Sequence, residues 1–214
     1  MDAEIRSASR AARMSPWPGQ SWLTAATLES LLELNEQLLE LLGAQCRTAP
    51  PQSALSRDVS GLLLTLDASS TRRAAACGVL LADVGFGDVA MWTDALVGAV
   101  NDHPPRAPFF TVDGTVGAMR HVVTHAWHLA RSEPTAARLL LGVSAPNLAV
   151  LGGCTLNRLT RLAESRTEWL RPRWENRPRV WCDLLRTAGD GDSGALERMR
   201  VRCLQLLAAD ARQG

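Results

Sequence analysis

Leucines recur at spacings of three and four early in the chain. Leu28, Leu31, Leu32, Leu34, Leu38, Leu39, Leu41 and Leu42 share one side of a helical projection, and Glu29, Glu33, Glu36 and Glu40 sit mostly between them. This period predicts an amphipathic helix from Thr24, with Gly43 near its C-terminal end. So wide a leucine face must be buried, either in the chain's own core or against another surface. Leu31, Leu38 and Leu42 are therefore candidates for self-association, and a homo-oligomer is expected.

The pattern continues as short helical words. Residues 47–55, with Pro50 and Pro51, read as a linker. Ser56 suits the N-cap of a helix that runs through Leu66. A further helix is expected over about 70–82, then the two glycines of VGFGD interrupt, and MWTDALVGAV forms a short helix at 91–100. NDHPPRAPFF at 101–110 carries three prolines and is the best candidate boundary. It divides a helical domain over 21–105 from a second over 110–214, and residues 1–20 read as a mobile arm. Beyond it, helices are expected at 115–131, from Pro134 to Gly142, from Ser144 or Ala145 to Gly152–Gly153, behind a Thr155 cap, along VWCDLLRTA, and from a Ser193 cap to Ala209. Strand-like alternation is scarce. The fold class is all-α, a multi-helix bundle. The short helices and tight turns of 134–165 are compatible with a helix-turn-helix arrangement in the C-terminal half.

Composition adds little to this until charge is placed along the chain. Of 214 residues, 46% are hydrophobic, which suits a buried core. Lysine is absent and all 23 positive side chains are arginine, so arginine abundance by itself is a compositional bias. The net charge of +1 is uneven: residues 1–156 hold 11 arginines against 14 acids, and residues 157–214 hold 12 against 8. Such polarity can offer a basic face to phosphates. No apolar leader segment and no long apolar run occur, so a cytoplasmic protein without a membrane association is expected. Five scattered cysteines with no CxxC pair read as small buried hydrophobes in a reducing compartment.

Catalytic chemistry finds no foothold. His121, His125 and His128 lie at i, i+4 and i+7, a spacing that two zinc ligands can use, but Val122, followed by Val123, stands where a metalloprotease glutamate belongs. These histidines read as the edge of a packed face. No GxSxG, P-loop or dinucleotide fingerprint occurs, and DGDSG at 190–194 lacks the distal glutamate of a calcium loop. Neither an enzyme nor a cofactor or metal is expected. The dense chemistry lies instead in WLRPRWENRPRVW, residues 169–181, with three tryptophans, four arginines and two prolines. Residues 158–186 hold eight arginines against four acids. Arg158, Arg161, Arg171, Arg173, Arg177 and Arg179 are the candidates for contact with DNA or a partner, with the tryptophans as anchors.

Three stretches then point the same way: HVVTHAWHLARSEPTAARLLLGVS, CTLNRLTRLAES and PRWENRPRVWCDLL. Across about Val112 to Leu185 they resemble the FlhD family, a subunit of the bacterial flagellar master transcriptional activator. Gly142, Thr155, Leu156, Leu159, Leu162, Ala163, Glu164, Arg173 and Trp174 fall at matching places. Leu170 stands where the family often carries a subunit-pairing cysteine, and residues 1–110 have no counterpart. The resemblance implies an all-helical, dimeric cytoplasmic regulator that acts with an FlhC-like partner. That partner would supply most DNA contacts and a zinc site, and the genes controlled would be flagellar or carried on mobile elements. The competing reading is a helical adaptor or chaperone-like module that binds protein alone through the 28–42 leucines.

Overall fold

In the computed structural model, residues 23–48, 56–97 and 107–211 are described; the expected arm at 1–20, most of the 47–55 linker and most of the proline-rich 101–110 segment lie outside them. Among the described residues the architecture is all-α. Ten helices run α1 (Ala25–Thr48), α2 (Arg57–Thr65), α3 (Ala68–Ala75), α4 (Val89–Val97), α5 (Thr115–Ser132), α6 (Pro134–Leu141), α7 (Ala145–Gly153), α8 (Leu156–Ser165), α9 (Pro178–Asp190) and α10 (Ser193–Asp210). Two two-residue strands, β1 (Ala82–Asp83) and β2 (Arg171–Pro172), pair antiparallel, with Ala82 opposite Pro172.

Local chemistry explains most boundaries. Thr24 Oγ1 accepts from the Thr27 amide at the start of α1. Ser56, Asp67, Ser144 and Thr155 cap α2, α3, α7 and α8 with side-chain oxygens. Pro134 and Pro178 occupy first-turn positions, and Gly142 and Gly191 close α6 and α9 in the left-handed conformation. Among the boundaries that depart from the sequence expectation, α4 begins two residues early at Val89 and α9 two residues early at Pro178, and two others have a side-chain cause. Helix α1 runs five residues beyond Gly43, because buried Gln45 is held by Thr111, whose amide donates to Gln45 Oε1 at 2.9 Å. Asp192, not Ser193, caps α10 through the Gly194 amide.

The larger departure is at 70–82. The helix expected there stops at Ala75, and the chain turns at Gly78 (φ +84°) into a non-helical segment through the middle of the molecule. Val79, Leu80, Leu81, Ala82, Val84 and Phe86 have no solvent exposure. Buried irregular backbone must find hydrogen-bond partners. Asn35, fully buried on the leucine face of α1, donates to the carbonyls of Ala75 and Val79 (2.9 and 2.8 Å) and accepts from the Leu81 amide (2.8 Å). The Leu80 amide donates to the Leu140 carbonyl at 2.8 Å. The apolar composition of 76–82 suits burial in either conformation; these distant partners decide against helix.

Helices gather around this segment. Helix α5 packs on α1, α6, α7 and α8, while α9 packs on α2, α3 and α10. One continuous apolar cluster draws on residues from Leu31 to Leu207. The helices before and after the 101–110 segment therefore share a core instead of forming separate ones. Leu31, Leu38 and Leu42 are 2%, 2% and 0% exposed within the single chain. As self-association residues they are corrected: α2, α3 and α5 of the same molecule cover the face they form.

Candidate nucleic-acid interface

The helix-turn-helix candidate takes the form of α7, a two-residue connection, and α8. Thr155 caps α8, and the Trp127 indole of α5 donates to the Cys154 carbonyl at 2.9 Å, which fixes the turn. The Cys154 thiol donates to the Val150 carbonyl, and burial raises its pKa above the ordinary value, with Arg158 pulling weakly the other way. Leu159, Leu162 and Ala163 bury one face of α8 against α5. The opposite face presents Leu156, Asn157, Arg158, Arg161 and Glu164 to solvent. Glu164 is paired with Arg120 of α5 at 2.8 Å, and Arg158 donates to the Leu96 carbonyl of α4. Arg161 has no partner among the described residues.

The tryptophan–arginine segment is for the most part turned inward. Arg171 grips both oxygens of Glu175 through Nε (2.8 and 2.7 Å), donates to the Ala107 carbonyl and lies over the Phe109 ring. Arg177 pairs with Asp210 at 2.9 Å. Arg173 is 7% exposed at the base of a narrow cleft that a DNA backbone does not enter, so as a DNA-contacting residue it is corrected. Its Nε donates to the Leu80 carbonyl (2.8 Å), its Nη2 to the carbonyls of Ala82 and Leu141 (3.0 and 2.7 Å), and its own amide to the Leu81 carbonyl (2.6 Å). Arg173 and Asn35 thus clamp the same buried segment from two distant parts of the chain. Burial pulls the Arg173 pKa below the ordinary arginine value, while the Asp83 and Asp210 carboxylates oppose that shift. Each tryptophan of the segment packs internally: Trp181 donates to the Arg173 carbonyl, Trp174 to Asp210, and Trp169 meets Trp92 edge-on at 5.4 Å. Arg179 is exposed at the start of α9 without a partner among the described residues.

The six candidate arginines thus divide. Arg161 and Arg179 face solvent without a partner among the described residues, Arg158 is exposed but bonded to the Leu96 carbonyl, and Arg171, Arg173 and Arg177 are turned to partners within the chain. Sequence reasoning missed the partners, Asp83 and Asp210, which lie far from the segment in sequence. It also missed Asn35, although a polar residue inside an apolar stripe was a visible signal. Of the histidines, His121 meets Gln37 at 3.0 Å, and half-buried His125 keeps a buried Nε2 without a hydrogen-bond partner among the described residues. Among the described residues no three histidine, cysteine or carboxylate groups converge as a metal centre requires. Comparison with family models, curated proteins and solved structures finds no match for the chain.

Proposed function

We propose that the chain is a subunit of a cytoplasmic transcriptional activator, and that it presents α8 to DNA while working with an FlhC-like partner. The observation that carries this reading is the exposed face of α8. The helix is capped, core-packed and braced by α5, and it projects Asn157, Arg158 and Arg161 outward. Rigid support is what base-edge or phosphate contact from a helix needs, because ordering cost is met before binding. The resemblance of residues 112–185 to the FlhD family supports the same assignment. Among the described residues no helix is long and apolar enough to cross a membrane. The adaptor reading relied on an open leucine face, and those leucines are covered.

The test is DNA binding by the chain co-expressed with its candidate FlhC-like partner, titrated over several salt concentrations. Arg161→Ala and Arg179→Ala are expected to leave folding and assembly intact. Removing one arginine–phosphate interaction should reduce the slope of log K against log salt by about 0.9. Wild-type affinity and slope in both variants and in Arg158→Ala would remove the basic surface from the mechanism.

A further inference from the structure

Arg173 clamps the core with only part of its guanidinium. Nε and Nη2 are taken by three carbonyls, while Nη1 has no hydrogen-bond partner among the described residues. That nitrogen lies at a wall formed by Gly142, where an added Cβ would sit 3.3 Å from it. The wall belongs to a cleft of about 290 Å³ lined by Asp83, Gly142, Arg173, Trp174, Arg177 and Asp210, among others. Trp174 sits at φ +56°, the only non-glycine residue with positive φ among the described residues. Strain of this kind persists where the surroundings hold it, and it gathers at ligand sites. Here two indole bonds hold it, from Trp174 to Asp210 and from Trp181 to the Arg173 carbonyl.

The charges define what would fit. Both oxygens of Asp210 are occupied, by Trp174 and Arg177. Asp83 is different: its Oδ1 accepts from the Phe86 amide and lies 3.9 Å from Arg173 Nη2, its side chain is 43% exposed, and its Oδ2 has no partner among the described residues. The cleft therefore has spare donors on Arg173 and Arg177 and a spare anionic acceptor on Asp83. A simple anion would meet Asp83 with repulsion, and a simple cation would be repelled by the arginines. A molecule carrying both charges satisfies all three. We propose that this cleft binds a small zwitterion of the α-amino-acid type, its carboxylate on Arg173 Nη1 and Arg177 and its ammonium on Asp83. The volume suits a ligand at the small end of the usual pocket range of roughly 300–1,000 Å³. The site does not depend on DNA binding, so its test is separate.

The experiment is a titration of the full chain with each standard L-amino acid, followed by calorimetry and by the indole N–H resonances. At least one amino acid should bind and move the Trp174 indole signal. Asp83→Asn keeps the acceptor for Phe86 and should weaken that binding tenfold or more. It should leave unchanged or improve binding of the matching carboxylic acid without the amino group. Arg177→Gln should weaken both ligands. Because either substitution can disturb the fold, Asn176→Trp at the exposed rim serves as a blocking variant, and the wild-type indole shifts need no substitution at all. The proposal is overturned if no amino acid binds, if the Trp174 signal stays still, or if the carboxylic acid binds wild type as tightly as the amino acid does.

Discussion

At the residue scale, one side chain changes meaning most. Arg173 reads as a surface cation in sequence, yet it is a buried fork bonded to three carbonyls from two distant segments. Lysine carries the same charge without a planar fork and cannot reach those acceptors together. Arg173→Lys should therefore be severely destabilising, and Arg173→Met should cost about 3–5 kcal/mol in urea unfolding because the carbonyls are left unsatisfied. An unchanged midpoint would mean that the clamp is dispensable. His125 offers a pH test. Burial, aided by His128, pushes its pKa down from 6.5 to about 4. The unfolded chain thus takes up a proton that the folded chain refuses as pH falls from 6.5 toward 4. The contribution is full above pH 6.5 and is lost across that window, on the order of 3 kcal/mol. His125→Asn should flatten the pH dependence of unfolding between those values.

At the element scale, the segment after α3 shows tertiary bonds outweighing local preference. Its backbone is held by Asn35 from α1 and by Arg173 beside β2. Asn35→Asp keeps an acceptor for the Leu81 amide but removes the donors to the Ala75 and Val79 carbonyls and places a carboxylate in the core. A loss of about 2–4 kcal/mol is expected. Amide exchange should locate the damage, with Leu81 and Arg173 losing protection first. Uniform loss over all helices would instead show that the segment does not open by itself. Gly142 illustrates the same coupling, since at its φ of +71° an alanine would be strained and the Leu207 methyl, 2.6 Å from an added Cβ, would have to shift in the core.

At the scale of the whole molecule, the leucine face of α1 is internal. Replacing Leu31, Leu38 or Leu42 with aspartate should unfold the chain and not merely dissociate an assembly. Even alanine at one such position costs about 2–5 kcal/mol in a packed core. Circular dichroism and light scattering on the same samples separate the outcomes: a helical, monomeric Leu38→Asp protein would place that leucine at an interface after all. One shared core also predicts a single cooperative unfolding transition, whereas two separate transitions by different probes would restore the division near 101–110.

Periodicity alone determined that the chain is helical, and the caps at Ser56, Thr155 and the left-handed Gly142 were readable because each acts through neighbours three or four residues away. The amphipathic pattern of α8, from Leu156 to Ser165, was legible for the same reason. Composition could not tell where the arginines end up. Arg161 and Arg173 carry the same group, and only the fold brings Leu80, Ala82 and Leu141 to one and leaves the other in solvent. Nor could the pattern say whether the leucines of α1 were covered by this chain or another, because burial has the same signature in both cases. The non-helical course of 79–82 was equally hidden, since Asn35, Leu140 and Arg173, which hold its backbone, lie more than forty residues away on one side or the other along the chain. Contacts within a helical turn are written in local sequence; contacts that close long loops are decided only when the whole chain packs.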